Sequence, residues 1–85
     1  MRDTSILAYY SVLESLGERQ MEVLKAIDKI APCSDLDISE YLGKPINTIT
    51  PRRNELVYMG MVKESYTDIS KQTGRRVIFW ERIKR

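Results

Sequence analysis

Apolar positions recur along this chain first at helical and then at strand spacing. Ile6, Tyr9, Tyr10, Leu13 and Leu16 predict a short helix over residues 5–16, ended by Gly17. Val23, Leu24, Ile27, Ile30 and Ala31 form one stripe over 18–31, with Glu18, Arg19, Glu22, Lys25 and Lys29 on the other faces. Pro32 biases the residue before it away from the helical region and closes that helix. Residues 35–42 predict another: Ser34 stands three before Asp37, a variant of the capping box, and Ile38, Tyr41 and Leu42 supply a buried face. Gly43 suits a left-handed C-cap, and Lys44-Pro45 cannot continue the helix. A further helix is expected over 47–59, with Asn47, Thr48 and Thr50 as candidate N-caps and Pro51 in its first turn. Ile49, Leu56 and Met59 face inward on it. After Gly60 the period shortens. Residues 61–67 and 75–81 predict two strands around a turn-rich loop of about seven residues, so 61–82 is a hairpin.

The order is helix, helix, turn, helix, hairpin. About four residues around Gly43 to Ile46 separate the middle helices, which is helix-turn-helix spacing. Ile46 is expected to be the apolar turn residue packed between them. A chain of 85 residues holds one core, so a single α+β, mostly α, domain over 1–85 is expected. A domain this small is marginal, and a spare amphipathic helix at 5–16 is a candidate surface for a homodimer.

Three stretches carry a resemblance. They are Ile38-Ser39-Glu40-Tyr41-Leu42-Gly43, Ile49-Thr50-Pro51-Arg52-Arg53-Asn54-Glu55-Leu56 and Met59-Gly60-Met61-Val62-Lys63-Glu64. Together they resemble a winged helix-turn-helix domain, in which a Leu-Gly turn leads to a recognition helix and an apolar-Gly-apolar step leads into a wing. The chain is most similar to small phage and prophage (MarR-like) winged-helix proteins. Their Thr-Pro-Arg, Asn-Glu-Leu, Thr-Gly-Arg and Val-x-x-Trp motifs correspond here to Thr50-Pro51-Arg52, Asn54-Glu55-Leu56, Thr73-Gly74-Arg75 and Val77 to Trp80. The leading Leu16-Gly17-Glu18-Arg19-Gln20 also fits, and the likeness runs from about residue 4 to residue 82. The resemblance implies double-stranded DNA binding, by a transcriptional regulator or replication accessory of a phage or mobile element. One residue departs from it: Arg53 stands where such helices carry Ile or Leu, about 40° from Ile49 on a helical wheel.

Charge bears on the same reading. The net charge is +2, but residues 1–43 carry four basic and eight acidic groups while residues 44–85 carry ten and four. A polarised surface of this kind suits a polyanion. The chain has no histidine and a single cysteine, Cys33, so it offers no disulfide, no zinc-ligand spacing and none of the usual nucleophile–base pairs. No enzyme activity, metal, cofactor or small-molecule ligand is expected. With no signal-peptide stretch and only short apolar runs, the chain is expected to be cytoplasmic and free of the membrane. Asp35, Asp37 and Glu40 sit at a helix start, where their charge suits the dipole better than a metal.

Candidate DNA-binding residues follow from the chemistry of base edges and phosphates. Asn47, Thr50, Pro51, Asn54 and Tyr58 lie on the outward face of the 47–59 helix. Asn47 and Asn54 suit adenine, and Thr48 and Thr50 suit thymine methyls or phosphates, while capping alone accounts equally for Asn47 and Thr48. Arg52 and Arg53 lie off this face; each either reaches round to DNA or packs along the core edge against an acid such as Glu55 or Glu40. Lys71, Gln72, Arg75 and Arg76 occupy the wing tip, suited to backbone or minor groove, and Lys44 and Lys63 are generic phosphate candidates. Phe79 and Trp80 alternate across the last strand, so one is a core residue and the other covers the first helix or an interface. The competing reading is a winged helix used as a protein–protein adaptor without DNA.

Overall fold

The structure, a computed structural model, describes residues 13–83. Helix α1 spans Glu18–Ile30, α2 Asp35–Leu42 and α3 Ile46–Tyr58, followed by strands β1 (Val62–Ile69) and β2 (Arg76–Arg82). Of the helix predicted over 5–16 only residues 13–16 are described, of which 13–15 are helical; residues 5–12, and the dimer surface expected there, lie outside the described residues.

The apolar stripes meet in one core. Val23, Leu24, Ala26 and Ile27 of α1, Ile38 of α2, Ile49 and Leu56 of α3, and Met61, Val62 and Trp80 of the hairpin are buried together with Cys33. Leu13, Leu16 and Met21 pack against its edge. The capping box at α2 forms as expected: the Ser34 N–H donates to Asp37 Oδ2 at 3.0 Å, and the Asp37 N–H donates to Ser34 Oγ at 3.2 Å. Gly43 closes the helix with φ 67°, a conformation that glycine alone adopts without strain. Burial raises the Asp37 carboxyl, but contacts from the Ser34 N–H, the Gln72 amide and the Ser34 hydroxyl outweigh it and hold the group below the usual carboxylate range.

Helix α3 departs from expectation at its start. It begins at Ile46, with Pro45 (φ −61°) as the N-cap residue and no side-chain cap bond. Proline's fixed φ supplies the entry geometry that Asn47, Thr48 or Thr50 was expected to provide. Ile46 is therefore not a turn residue packed between helices but the first helical residue, 43% exposed. Pro51 sits in the second turn rather than the first, so the Asn47 carbonyl lacks the i+4 amide partner that any other residue would give it.

The hairpin is antiparallel, paired Val62↔Arg82 through Ile69↔Arg76, with a bulge between Glu64 and Tyr66. Its loop has six residues, 70–75, with Gly74 at φ 72°. Phe79 stacks on Tyr66 at 4.9 Å on one face, and Trp80 turns into the core on the other. Trp80 also joins the hairpin to the helices: its N–H donates to the Cys33 carbonyl at 2.7 Å and its carbonyl accepts from the Cys33 N–H at 3.1 Å.

Arg53 lies over this junction. Its guanidinium carbon is 4.1 Å from the centre of the Trp80 ring. Nε and Nη2 donate to the two oxygens of Asp35 at 2.9 and 2.8 Å, a bidentate pair whose side chains are 12% and 17% exposed. The acid that takes Arg53 is thus Asp35, not Glu55 or Glu40.

Replacing Arg53 by Ala strands the Asp35 carboxylate and uncovers Trp80. Urea unfolding is expected to show a loss of about 2 kcal/mol. The Asp35→Ala/Arg53→Ala double variant should lose less than the two singles combined, since each single change leaves the other's charge without its partner. The lowered Asp37 carboxyl stabilises the fold above its unfolded value of about 4, and that stabilisation is lost as pH falls through the lower folded value. The stability gap between wild type and Asp37→Asn should therefore be open at pH 7 and close in strong acid, as read by thermal melts across pH.

Candidate nucleic-acid interface

The outward face of α3 is polar but uncharged. Asn47, Thr48, Thr50, Pro51 and Asn54 are exposed, and Tyr58 is 94% exposed at the far end. Because α3 starts at Ile46 without a side-chain cap, capping no longer accounts for Asn47. The amides of Asn47 and Asn54 have no partner among the described residues and present both a donor and an acceptor to solvent. The two threonines are engaged locally: Thr48 Oγ1 donates to the Pro45 carbonyl at 2.7 Å, and Thr50 Oγ1 to Asp35 Oδ2 at 3.0 Å.

The cations divide by position. Lys44, Arg52 and Arg53, around α3, are paired, whereas Arg19, Lys25 and Lys29 on α1 are exposed and have no acidic partner among the described residues. Lys44 Nζ lies 3.0 Å from Glu22, Arg52 Nη2 donates to Glu55 at 2.8 Å, and Arg53 is held by Asp35. Glu55 also accepts from Gln20 Nε2 of α1 at 2.8 Å. The Gln20 amide and then the Arg52 guanidinium hold its carboxyl below the usual range. Arg52 Nε is buried without a partner. At the base of the hairpin Lys63 faces Glu81 at 3.7 Å and Arg82 faces Asp28 at 3.4 Å. In the wing, Lys71, Arg75 and Arg76 are exposed, and their side chains have no acidic partner among the described residues.

Arg53 was one of the residues expected to contact DNA. The structure places it at the core edge, where the aromatic ring and the carboxylate together occupy it. Gln72, also expected as a contact, is exposed but turns toward α2: its Nε2 donates to Asp37 Oδ1 at 2.9 Å and to Glu40 Oε1 at 3.2 Å. Arg52 and Lys44 remain partly exposed but are drawn onto the body by their ion pairs. What the fold does bring together is the start of α3 and the wing. Leu36, Ile46, Arg75, Arg76, Ile78 and Trp80 line a common open cleft of about 610 Å³. The residue that sequence reasoning missed as a site element is Asp35, which takes both Arg53 and Thr50. Its position in a helical first turn pointed only to the dipole.

Burial, and then the charges of Asp37 and Asp35, push the Cys33 thiol up to about 12, so it holds its proton and is a poor nucleophile at neutral pH. Among the described residues no group of three or more metal-ligating side chains comes together. None of the described helices is long and apolar enough to cross a membrane.

No protein-family model matches the chain, and comparison with curated proteins finds no match. Among solved structures it is similar to the crystal structure of Streptococcus pneumoniae FabT in complex with DNA. The TM-score is 0.65 and the identity 22%, over 95% of this chain and 61% of that one. This chain therefore spans about three-fifths of the FabT chain's length. At that identity the likeness shows the fold alone, and the fold is a winged helix.

Proposed function

We propose that this protein binds double-stranded DNA, with α3 in the major groove and the wing on the flanking backbone or minor groove. The observation that carries the reading is the sorting of side chains across one surface. An uncharged face with free amides lies on α3, and three cations without acidic partners among the described residues, Lys71, Arg75 and Arg76, lie on the wing beside it. Amides read base edges and unpaired cations bind phosphate, so the surface offers both kinds of contact that recognition needs. The solved relative of this fold, FabT, was crystallised in complex with DNA, which supports the same reading. Asn47, Thr48, Thr50 and Asn54 are the candidates for the groove. Lys71, Arg75 and Arg76 are those for the backbone, with Lys44 and Arg52 at the margin where their ion pairs compete. The role of a transcriptional regulator or replication accessory, and the phage or mobile-element setting, rest on the motifs of α3 and the wing.

The test is fluorescence anisotropy of a labelled duplex titrated with protein across a salt series. Log affinity should fall linearly with log salt, with a slope of about −0.9 per phosphate neutralised. The Arg75→Ala/Arg76→Ala variant should bind more weakly with that slope reduced by about two units. An adaptor would leave both proteins indifferent to the duplex at low salt. Asn54→Ala should instead leave the slope unchanged and relax preference at one base pair of a selected site, at a cost of about 1–3 kcal/mol on that site.

A further inference from the structure

We infer that Gln72 is a positioning residue for the wing: by gripping Glu40 and Asp37 it holds the loop so that Arg75 and Arg76 are presented beside α3. The inference rests on the DNA-binding reading and deepens it. Every hydrogen-bonding atom of the Gln72 side chain is spent inside the protein. Nε2 donates to Asp37 Oδ1 at 2.9 Å and to Glu40 Oε1 at 3.2 Å, both on α2. Oε1 accepts from Ser70 Oγ at 2.9 Å. The Ser70 side chain is the centre of the loop. Its Oγ accepts from the Gln72 N–H at 3.2 Å and the Thr73 N–H at 3.4 Å, and Ser70 is only 3% exposed in a loop otherwise open to solvent. The Ser70 N–H and carbonyl close the same loop through Arg75 and Gly74, both at 2.8 Å. The loop is thus one hydrogen-bonded knot with Gln72 as its link to the helices.

That link matters because of leverage. The hairpin is pinned to the helices at Trp80, four residues from Arg76, or about 13 Å along an extended strand. Met61, Val62 and the Arg82–Asp28 pair hold only its base, so without a further tie the outer part of the hairpin is free to swing, and its cations must be ordered anew on each binding event. With Gln72 attached to α2, much of that ordering is done before DNA arrives.

The role has a signature that a direct DNA contact lacks. Removing an acid from a surface that faces phosphate ordinarily tightens binding, because it removes repulsion. Here Glu40 is an exposed residue on α2 whose hydrogen bond in the structure is to Gln72. If it acts through Gln72, Glu40→Ala weakens binding instead.

The experiment measures duplex affinity and salt slope for wild type, Gln72→Ala, Glu40→Ala and the double variant, with 15N relaxation of the loop amides in the free proteins and thermal melts to show that each is folded. The expected result is a loss of about three- to tenfold for Gln72→Ala and a smaller loss for Glu40→Ala, both with the wild-type salt slope. The double variant should be no weaker than Gln72→Ala alone, and the amides of residues 71–74 should show increased fast motion in both singles. Tighter binding by Glu40→Ala, additive losses in the double variant, or unchanged loop relaxation each overturns the inference and leaves the DNA reading intact. A wild type that ignores the duplex while its loop is rigid removes the DNA reading, and this inference with it.

Discussion

The junction at Trp80 is the constraint on which the rest depends. A hairpin of two strands has too little to bury when alone, so it must borrow a core. Met61 and Val62 enter that core at the base of the hairpin, and Trp80 joins it by backbone and ring together. The Trp80 backbone pairs with Cys33 in the link between α1 and α2, and its ring fills the core beneath α3. Arg53 covers the ring from the α3 side and is fixed by two hydrogen bonds to Asp35 at the start of α2. Three elements are thereby locked at one point: α2 through Asp35, α3 through Arg53 and β2 through Trp80. An apolar side chain at position 53 would bury as much surface. It would leave the Asp35 carboxylate without its bidentate partner, with the Thr50 hydroxyl as its remaining tie to α3.

The same economy of partners explains the charge pattern. Exposed ion pairs contribute little to stability, with a typical value below about 1 kcal/mol. Their consequence here is spatial. Glu22, Glu55 and Asp35 draw Lys44, Arg52 and Arg53 down onto the helical body, so two acids of the first half of the chain and one of α3 itself offset the cations of the middle. The acids near the wing tip take other partners, Asp68 the Ile69 N–H and Asp37 and Glu40 the Gln72 amide, so Lys71, Arg75 and Arg76 form no ion pair among the described residues. Beside α3 the unpaired positive charge is therefore delivered at the loop, while the face of α3 stays neutral and rich in amides. In the proposed complex this divides the labour: the loop supplies salt-sensitive attraction and the helix supplies discrimination.

Local signals made much of the fold legible. The capping box Ser34/Asp37 and the glycine at 43 bracket α2 at the bounds the structure shows. The helical wheel about Ile49 identifies the exposed face of α3, because burial of Ile49 and Leu56 fixes its rotation. Alternation in the last strand separates Phe79 from Trp80. What stayed hidden depends on pairs far apart in sequence. Arg53 meets Asp35 across 18 residues and Gln72 meets Glu40 across 32, distances at which composition carries no pairing information. The start of α3 misled for a different reason. Pro51 suggested a nearby beginning, yet Pro45 made the entry six residues earlier, which turned Ile46 outward and freed Asn47 from capping.

The central claim is that one surface, made of the face of α3 and the wing tip, meets the duplex. Two-dimensional 15N–1H spectra of this 9.9 kDa chain, recorded while a duplex is added, map that surface residue by residue. The account predicts shift changes concentrated at residues 46–54 and 70–76, with the outer face of α1 around Lys25 and Lys29 unmoved. Spectra that do not change at saturating duplex, or changes gathered on α1 while α3 and the wing stay still, would contradict it.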